Sequence, residues 1–146
     1  MNNFIKIFSN KYLYIPLIIW ICIQTFKTIT ELIKTKKFNF KRIIGPGGMP
    51  SAHSAVVTSI STLIGKDAGC DSMLFALSVI FALIVMYDAA GIRRAAGKQA
   101  ALLNKIVNTP GLTGLQVQEK LAEVLGHTPI QVFVGALLGI VIALFF

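Results

Sequence analysis

The sequence predicts an all-α fold: an integral membrane helical bundle of about four membrane helices plus a short amphipathic cytoplasmic helix, in a single domain over residues 1–146. Three observations predict it. Only 14% of residues are charged in a chain that is 55% hydrophobic, with a mean hydropathy of +0.73. Soluble domains carry about a quarter charged residues, and small ones have the most surface per residue to wet. The apolar residues also fall in uncharged runs that approach or reach the length of a bilayer span. Finally, the net charge of +8 is placed unevenly along the chain. Together these exclude a disordered chain, a collagen-like repeat and a disulfide-rich secreted scaffold.

The first membrane helix is expected within residues 12–33, where Tyr12 to Phe26 carry no charge and Lys27 falls near one end. Lys6 and Lys11 precede it in the manner of a signal peptide, but no small-residue cleavage site follows, so a retained helix is expected. Residues 34–42, KTKKFNFKR, are basic. GPGGMP, at 45–50, suits neither regular helix nor strand. The second helix should start near Ser51 and run to about Gly65; its many small and hydroxyl residues suit close packing inside a bundle. KDAGCD, at 66–71, reads as a turn with Asp71 as N-cap.

Ser72 to Tyr87 is uncharged and nearly all apolar, and it continues without an obvious breaker into DAAGIRRAAGKQAALLNKIV. One long helix leaving the membrane near Asp88 is expected. Residues 108–128 have ordinary soluble character: a loop, then apolar positions 115, 117, 121, 124 and 125 at amphipathic-helix spacing. Thr128 or Pro129 should open the last helix, which runs to the C-terminus at the lower limit of a span. Neither cysteine, Cys22 nor Cys70, has metal or redox spacing, and Cys22 reads as a packing residue.

Four membrane helices would put Lys34, Lys36, Lys37, Lys41, Arg42, Arg93, Arg94, Lys98, Lys105 and Lys120 on one side, against Lys6, Lys11 and Lys66 on the other. The positive-inside rule makes the first face cytoplasmic. The expectation is a multi-pass protein of the cell membrane with both termini outside. Its basic excess is meant for topology and anionic headgroups rather than nucleic acid.

The two histidines, His53 and His127, both fall on that cytoplasmic face, each at or just before a helix start. In GPGGMPSAH, Gly47 and Gly48 allow backbone to approach a ligand closely. Ser51 opens a helix whose unpaired N–H groups and macrodipole attract anions. A phosphate cradle fits these residues; so does a re-entrant turn with a helix cap. Arg42, Arg93 and Arg94 are the only arginines, and all lie on the same face. Guanidinium forks suit phosphate, although positive-inside topology alone also accounts for basic residues there. Arg93 and Arg94 point about 100° apart on a helix, so one of them should face a site. Asp88 at the membrane boundary is a candidate functional acid or a partner for Arg93, Arg94 or Lys27. Lys27 pairs with Glu31 by i,i+4 spacing or reaches the phosphate.

GGMPSAHSA, VMYDAAGIRRAAGKQA and LGHTPIQVFVGALLGI together resemble the divergent branch of the type 2 phosphatidic acid phosphatase (PAP2) superfamily, also described as acid phosphatase/vanadium-dependent haloperoxidase-related. The resemblance runs from about Gln24 to the end. It implies a PAP2-like helical membrane bundle that removes phosphate from lipid or small esters, with no metal and no cofactor. It implies that Ser51 binds phosphate, that His53 is the general acid and that His127 is the nucleophile. Arg93 or Arg94 would bind phosphate, with Lys27 and Arg42 completing the pocket.

Three departures stand against the superfamily pattern. Lys27 and Arg42 are 15 apart rather than closely spaced, and Arg94 lies 33 residues before His127 rather than about six. Gln131 takes the place of the aspartate that orients the nucleophile; Asp88 or Glu123 could substitute. The implied function is hydrolysis of a lipid or isoprenoid phosphate monoester through a phosphohistidine. The alternative is a catalytically weak or inactive lipid-phosphate-binding scaffold. Four helices are fewer than the superfamily's usual six, so a homo-oligomer could close the bundle.

Overall fold

The computed structural model describes residues 3–36, 48–107, 121 and 126–146, and these are all helix and connecting turns with no strand. The elements are α1 (Asn3–Phe8), α2 (Lys11–Thr35), α3 (Ala52–Ala68), α4 (Met73–Ala90), α5 (Ile92–Val107) and α6 (Pro129–Leu144). α2 and the stretch Met73–Val107 are long and apolar enough to cross a membrane, while α6 is a shorter apolar helix. The expected amphipathic helix around 115–125 lies outside the described residues, apart from Leu121.

Local chemistry sets the helix ends. Asn10 caps α2 by accepting from Tyr12 N at 3.0 Å. Ser51 caps α3 by accepting from Ser54 N at 3.3 Å. Thr128 caps α6 with Pro129 at the first helical position, where the missing N–H costs nothing. Three expectations are corrected. Ser72, not Asp71, caps α4, accepting from Phe75 N at 3.2 Å; α3 continues through Lys66 and Asp67 to Ala68, so the turn starts later than expected. The long helix from Ser72 is two helices broken at Gly91. There the helical bond Gly91 N to Tyr87 O (2.8 Å) survives, but the backbone turns to φ −102° and ψ −85°. α1 was not expected from the sequence.

α3 is the central helix, packing on α6, α4 and α2. Its hydroxyls serve this position. Buried Ser59 and Ser61 and half-buried Thr62 donate back to carbonyls of their own helix at 2.7–3.0 Å, so none leaves an orphan donor. Thr58 reaches across to the Ala136 carbonyl of α6 at 3.0 Å.

Two glycines make the α3–α6 crossing close. A Cβ at Gly135 would overlap the Ser51 carbonyl, and one at Gly139 would overlap the Ala55 carbonyl and the Thr58 hydroxyl. Small residues four apart let two backbones meet, which is the main route to tight helix association where lipid removes the hydrophobic drive.

The helices alternate in direction, so two ends of the bundle are defined. At one end Lys11 pairs with Asp67 (2.7 Å), Tyr12 also donates to Asp67, and Lys66 donates to the Leu144 carbonyl at 2.9 Å. At the other end meet the starts of α3 and α6 and the end of α4: Ser51 N donates to Gln131 O (3.0 Å) and His127 N donates to Ala89 O (2.9 Å).

Candidate functional site

The second end of the bundle collects most of the residues singled out in the sequence. His53 lies in the first turn of α3 and His127 just before the Thr128 cap of α6. Because Ser51 N is bonded to Gln131 O, the two helix starts are held side by side. The imidazole rings consequently sit 6.3 Å apart, centroid to centroid, tilted by 60°. Two hydrogen bonds of about 2.8 Å to different oxygens of one anion span such a gap. His127 is 3% exposed, whereas His53 is an exposed residue.

The charges that act on His53 are Arg93, Lys27 and Asp88. This ranks the arginines: Arg93 is the one whose charge reaches His53. Arg94 instead meets the site through its backbone, against which Gly126 packs so closely that a Cβ there would overlap it. Asp88 pairs with Arg93, its Oδ2 lying 2.5 Å from Nε. Of the three partners open to Asp88, the structure selects Arg93. Lys27 reaches the site from α2 and is 4% exposed, an ammonium at membrane depth that only a functional or paired role sustains.

Burial pushes the His53 pKa below its ordinary value, and the Arg93 and Lys27 charges push the same way; Asp88 opposes them. His53 stands in the opening turn of α3, outside the two span-length helices. An anion arriving beside His53 opposes these effects and raises its pKa.

Ser51 is fully buried. Its oxygen accepts both from Ser54 N and, at 2.9 Å, from the Ser54 hydroxyl. Its own hydroxyl proton is left for another acceptor. Gly48 adopts φ +77°, a left-handed conformation that suits glycine. Gly47 and Arg42 lie outside the described residues. Gln131 closes a capping box with Thr128: its Oε1 accepts from Thr128 N at 3.0 Å and sits 3.3 Å from His127 Nδ1. Among the described residues no cluster of His, Cys, Asp or Glu could hold a metal ion.

Three contributors were not singled out from the sequence. Ser54 supports Ser51, and its spacing in SAHS was readable. Gly126 and the Ala89 carbonyl grip the His127 segment, and neither carries a sequence signal beyond a small residue.

A family model described as the divergent PAP2 family matches residues 8–142. The chain belongs to the divergent PAP2 family. As a member it is a PAP2-related membrane protein, and its all-helical architecture with span-length helices agrees with that. The chain is 43% identical over 132 residues, covering 83% of its own length and 84% of the relative's, to a protein of Bacillus subtilis (strain 168) called uncharacterized membrane protein YuiD. No solved structure matches it.

Proposed function

We propose that this divergent PAP2 protein hydrolyses a lipid or isoprenoid phosphate monoester through a phosphohistidine, at the cytoplasmic face of a multi-pass bundle. The observation that supports this reading is the meeting of both histidines of the chain with Arg93 and the buried Lys27 at one end of the bundle.

In this reading the phosphoryl group sits at the Ser51 start of α3. Arg93, Lys27, the Ser51 hydroxyl and neighbouring backbone N–H groups hold it; Arg42 and Gly47 would join them from the basic loop. His127 attacks phosphorus through Nε2. The bond from phosphorus to the ester oxygen breaks, and protonated His53 gives that oxygen its proton. Water then attacks the phosphohistidine and gives a proton to His53. The P–N bond breaks, releasing inorganic phosphate and restoring His127. Fixed positive charge around the phosphoryl oxygens supplies most of the acceleration, because it is in place before charge develops. A lipid phosphate suits the site because its chain stays in the bilayer.

The test is phosphate release from lipid phosphates by purified protein in nanodiscs, beside His127→Ala. Release by the wild type alone supports the enzyme; equal rates, or none in either, overturn it.

Gln131 favours a second reading, a lipid-phosphate-binding scaffold. An amide holds the imidazole but does not stabilise an imidazolium as a carboxylate does. That reading expects anion binding that survives His127→Ala and is lost in Arg93→Ala, with no turnover in either.

A further inference from the structure

α2 and α6 touch only sparingly, and between them runs an open cleft of about 640 Å³, within the range of pockets that bury a small-molecule ligand. Its α2 wall is a stripe of residues four apart, Cys22, Phe26, Thr30 and Lys34. The twelve steps of helix from Cys22 to Lys34 make a wall roughly 18 Å long. The α6 wall is Val134 and Leu138, again four apart.

The two ends of the cleft differ. The shallow end holds Lys34 and Pro50, the residue immediately before Ser51. The deep end, at Cys22 and Leu138, is apolar. Thr30 does not interrupt the apolar lining, because its hydroxyl is turned onto the Lys27 carbonyl at 2.9 Å.

We infer that this cleft is the binding site for one hydrocarbon chain of an anionic amphiphile whose headgroup occupies the histidine site; the inference rests on the phosphate reading of that site. Three features select this occupant. Pro50, which lines the cleft, directly precedes Ser51 and so places the mouth at the start of α3. A cation stands at its mouth, where an anionic headgroup would pass, and its interior is apolar and aligned with lipid chains.

Two smaller clefts lie elsewhere: one of about 400 Å³, lined by Tyr12, Pro16 and Trp20, toward the Lys11–Asp67 end, and one of about 210 Å³ between α3 and α4; Pro50 lines neither. Binding should strengthen with chain length through packing against the cleft walls and level off once the chain reaches Cys22 and Leu138.

Cys22 supplies a native probe at the deep end. The experiment uses the full chain carrying Cys70→Ser in nanodiscs. It is treated with monoalkyl phosphates of increasing length bearing a thiol-reactive group at the far end, and with the matching alkyl alcohols; modification is read by mass spectrometry. Cys22 should be modified by the long phosphate, poorly by the short one, and much less by the long alcohol. Inorganic phosphate should compete. Leu138→Trp should abolish the chain-length preference without abolishing inorganic phosphate binding.

Equal modification by phosphate and alcohol would overturn the inference, since Cys22 would then merely face lipid. No modification by any reagent, or a Cys22–Cys22 disulfide between two copies, would also overturn it, the second by assigning the cleft to another protomer. The result separates from the enzyme reading: chain-dependent modification without phosphate release leaves this site standing and removes the phosphatase. Phosphate release with chain-independent modification does the reverse.

Discussion

The Nδ1 of His127 faces the side-chain oxygen of Gln131 at 3.3 Å. The identity of that side-chain atom is fixed by a third group: Thr128 N–H, 3.0 Å away, is a donor and requires an oxygen. An oxygen opposite Nδ1 favours the ring hydrogen there, which in the neutral imidazole leaves Nε2 its lone pair. A helix cap thus selects the tautomer a nucleophilic histidine needs.

Gln131→Glu should therefore keep the cap, since glutamate serves equally at this capping-box position, and add a charge that stabilises the imidazolium. We expect turnover to rise at least tenfold, the reverse of the roughly 10⁴-fold loss caused by carboxylate-to-amide exchange in a Ser-His-Asp triad. Gln131→Ala should lower turnover and cost about 1 kcal/mol of stability through the cap. Steady-state kinetics and thermal unfolding in nanodiscs separate the two effects; turnover unchanged in both variants would remove Gln131 from the mechanism.

Arg93→Ala should weaken oxyanion binding about 10-fold or more, the scale of a lost charge-assisted hydrogen bond. Arg93→Lys should restore only part of it, because an ammonium lacks the planar fork. Arg94→Ala should change binding little, since Arg94 meets the site through its backbone. Asp88→Asn releases Arg93 from its pair and should tighten binding. That ion pair is partly exposed, so its loss should cost under about 1 kcal/mol of stability. Isothermal titration with sulfate reads all four variants.

Binding should depend on pH through His53. Burial, Arg93 and Lys27 lower its pKa in the free protein, and a bound anion raises it. Between the two values binding takes up a proton. Affinity for sulfate, which does not titrate near neutrality, should rise as pH falls through the bound-state value and level off below the free-state value. His53→Gln should flatten this slope. A slope that persists in the variant would assign the proton to another group.

Gly135→Ala and Gly139→Ala should each destabilise the bundle by about 1–3 kcal/mol, as overpacking does, because the new methyl meets backbone that cannot swing aside. Gly135→Ala should also lower activity, since it displaces the α6 start from Ser51 and with it the spacing of the histidines. Thermal unfolding and sulfate binding check both; wild-type stability would contradict the close α3–α6 crossing.

Much of this arrangement was legible in the sequence, for reasons that are local. Ser51 and Thr128-Pro129 mark their helix starts by side-chain chemistry alone, and the small and hydroxyl residues of α3 mark it as an interior helix. Ser72 and Asp71 are adjacent and both competent caps, so the choice between them fell within the usual slack of helix ends. The break at Gly91 was hidden: a glycine inside a helical pattern costs only about 1 kcal/mol. What captures the bend is remote in sequence, through His127 N on Ala89 O and Gly126 on the Arg94 backbone. The same contacts decide which arginine faces the histidines, so the sequence left that choice open.

The most direct test of the central claim is to trap the covalent intermediate. Wild-type protein mixed with a lipid phosphate labelled on phosphorus and quenched in base should carry acid-labile label on His127, and His127→Ala should carry none. Label on another residue, or phosphate released with no label at any time point and at the same rate by His127→Ala, would contradict the account.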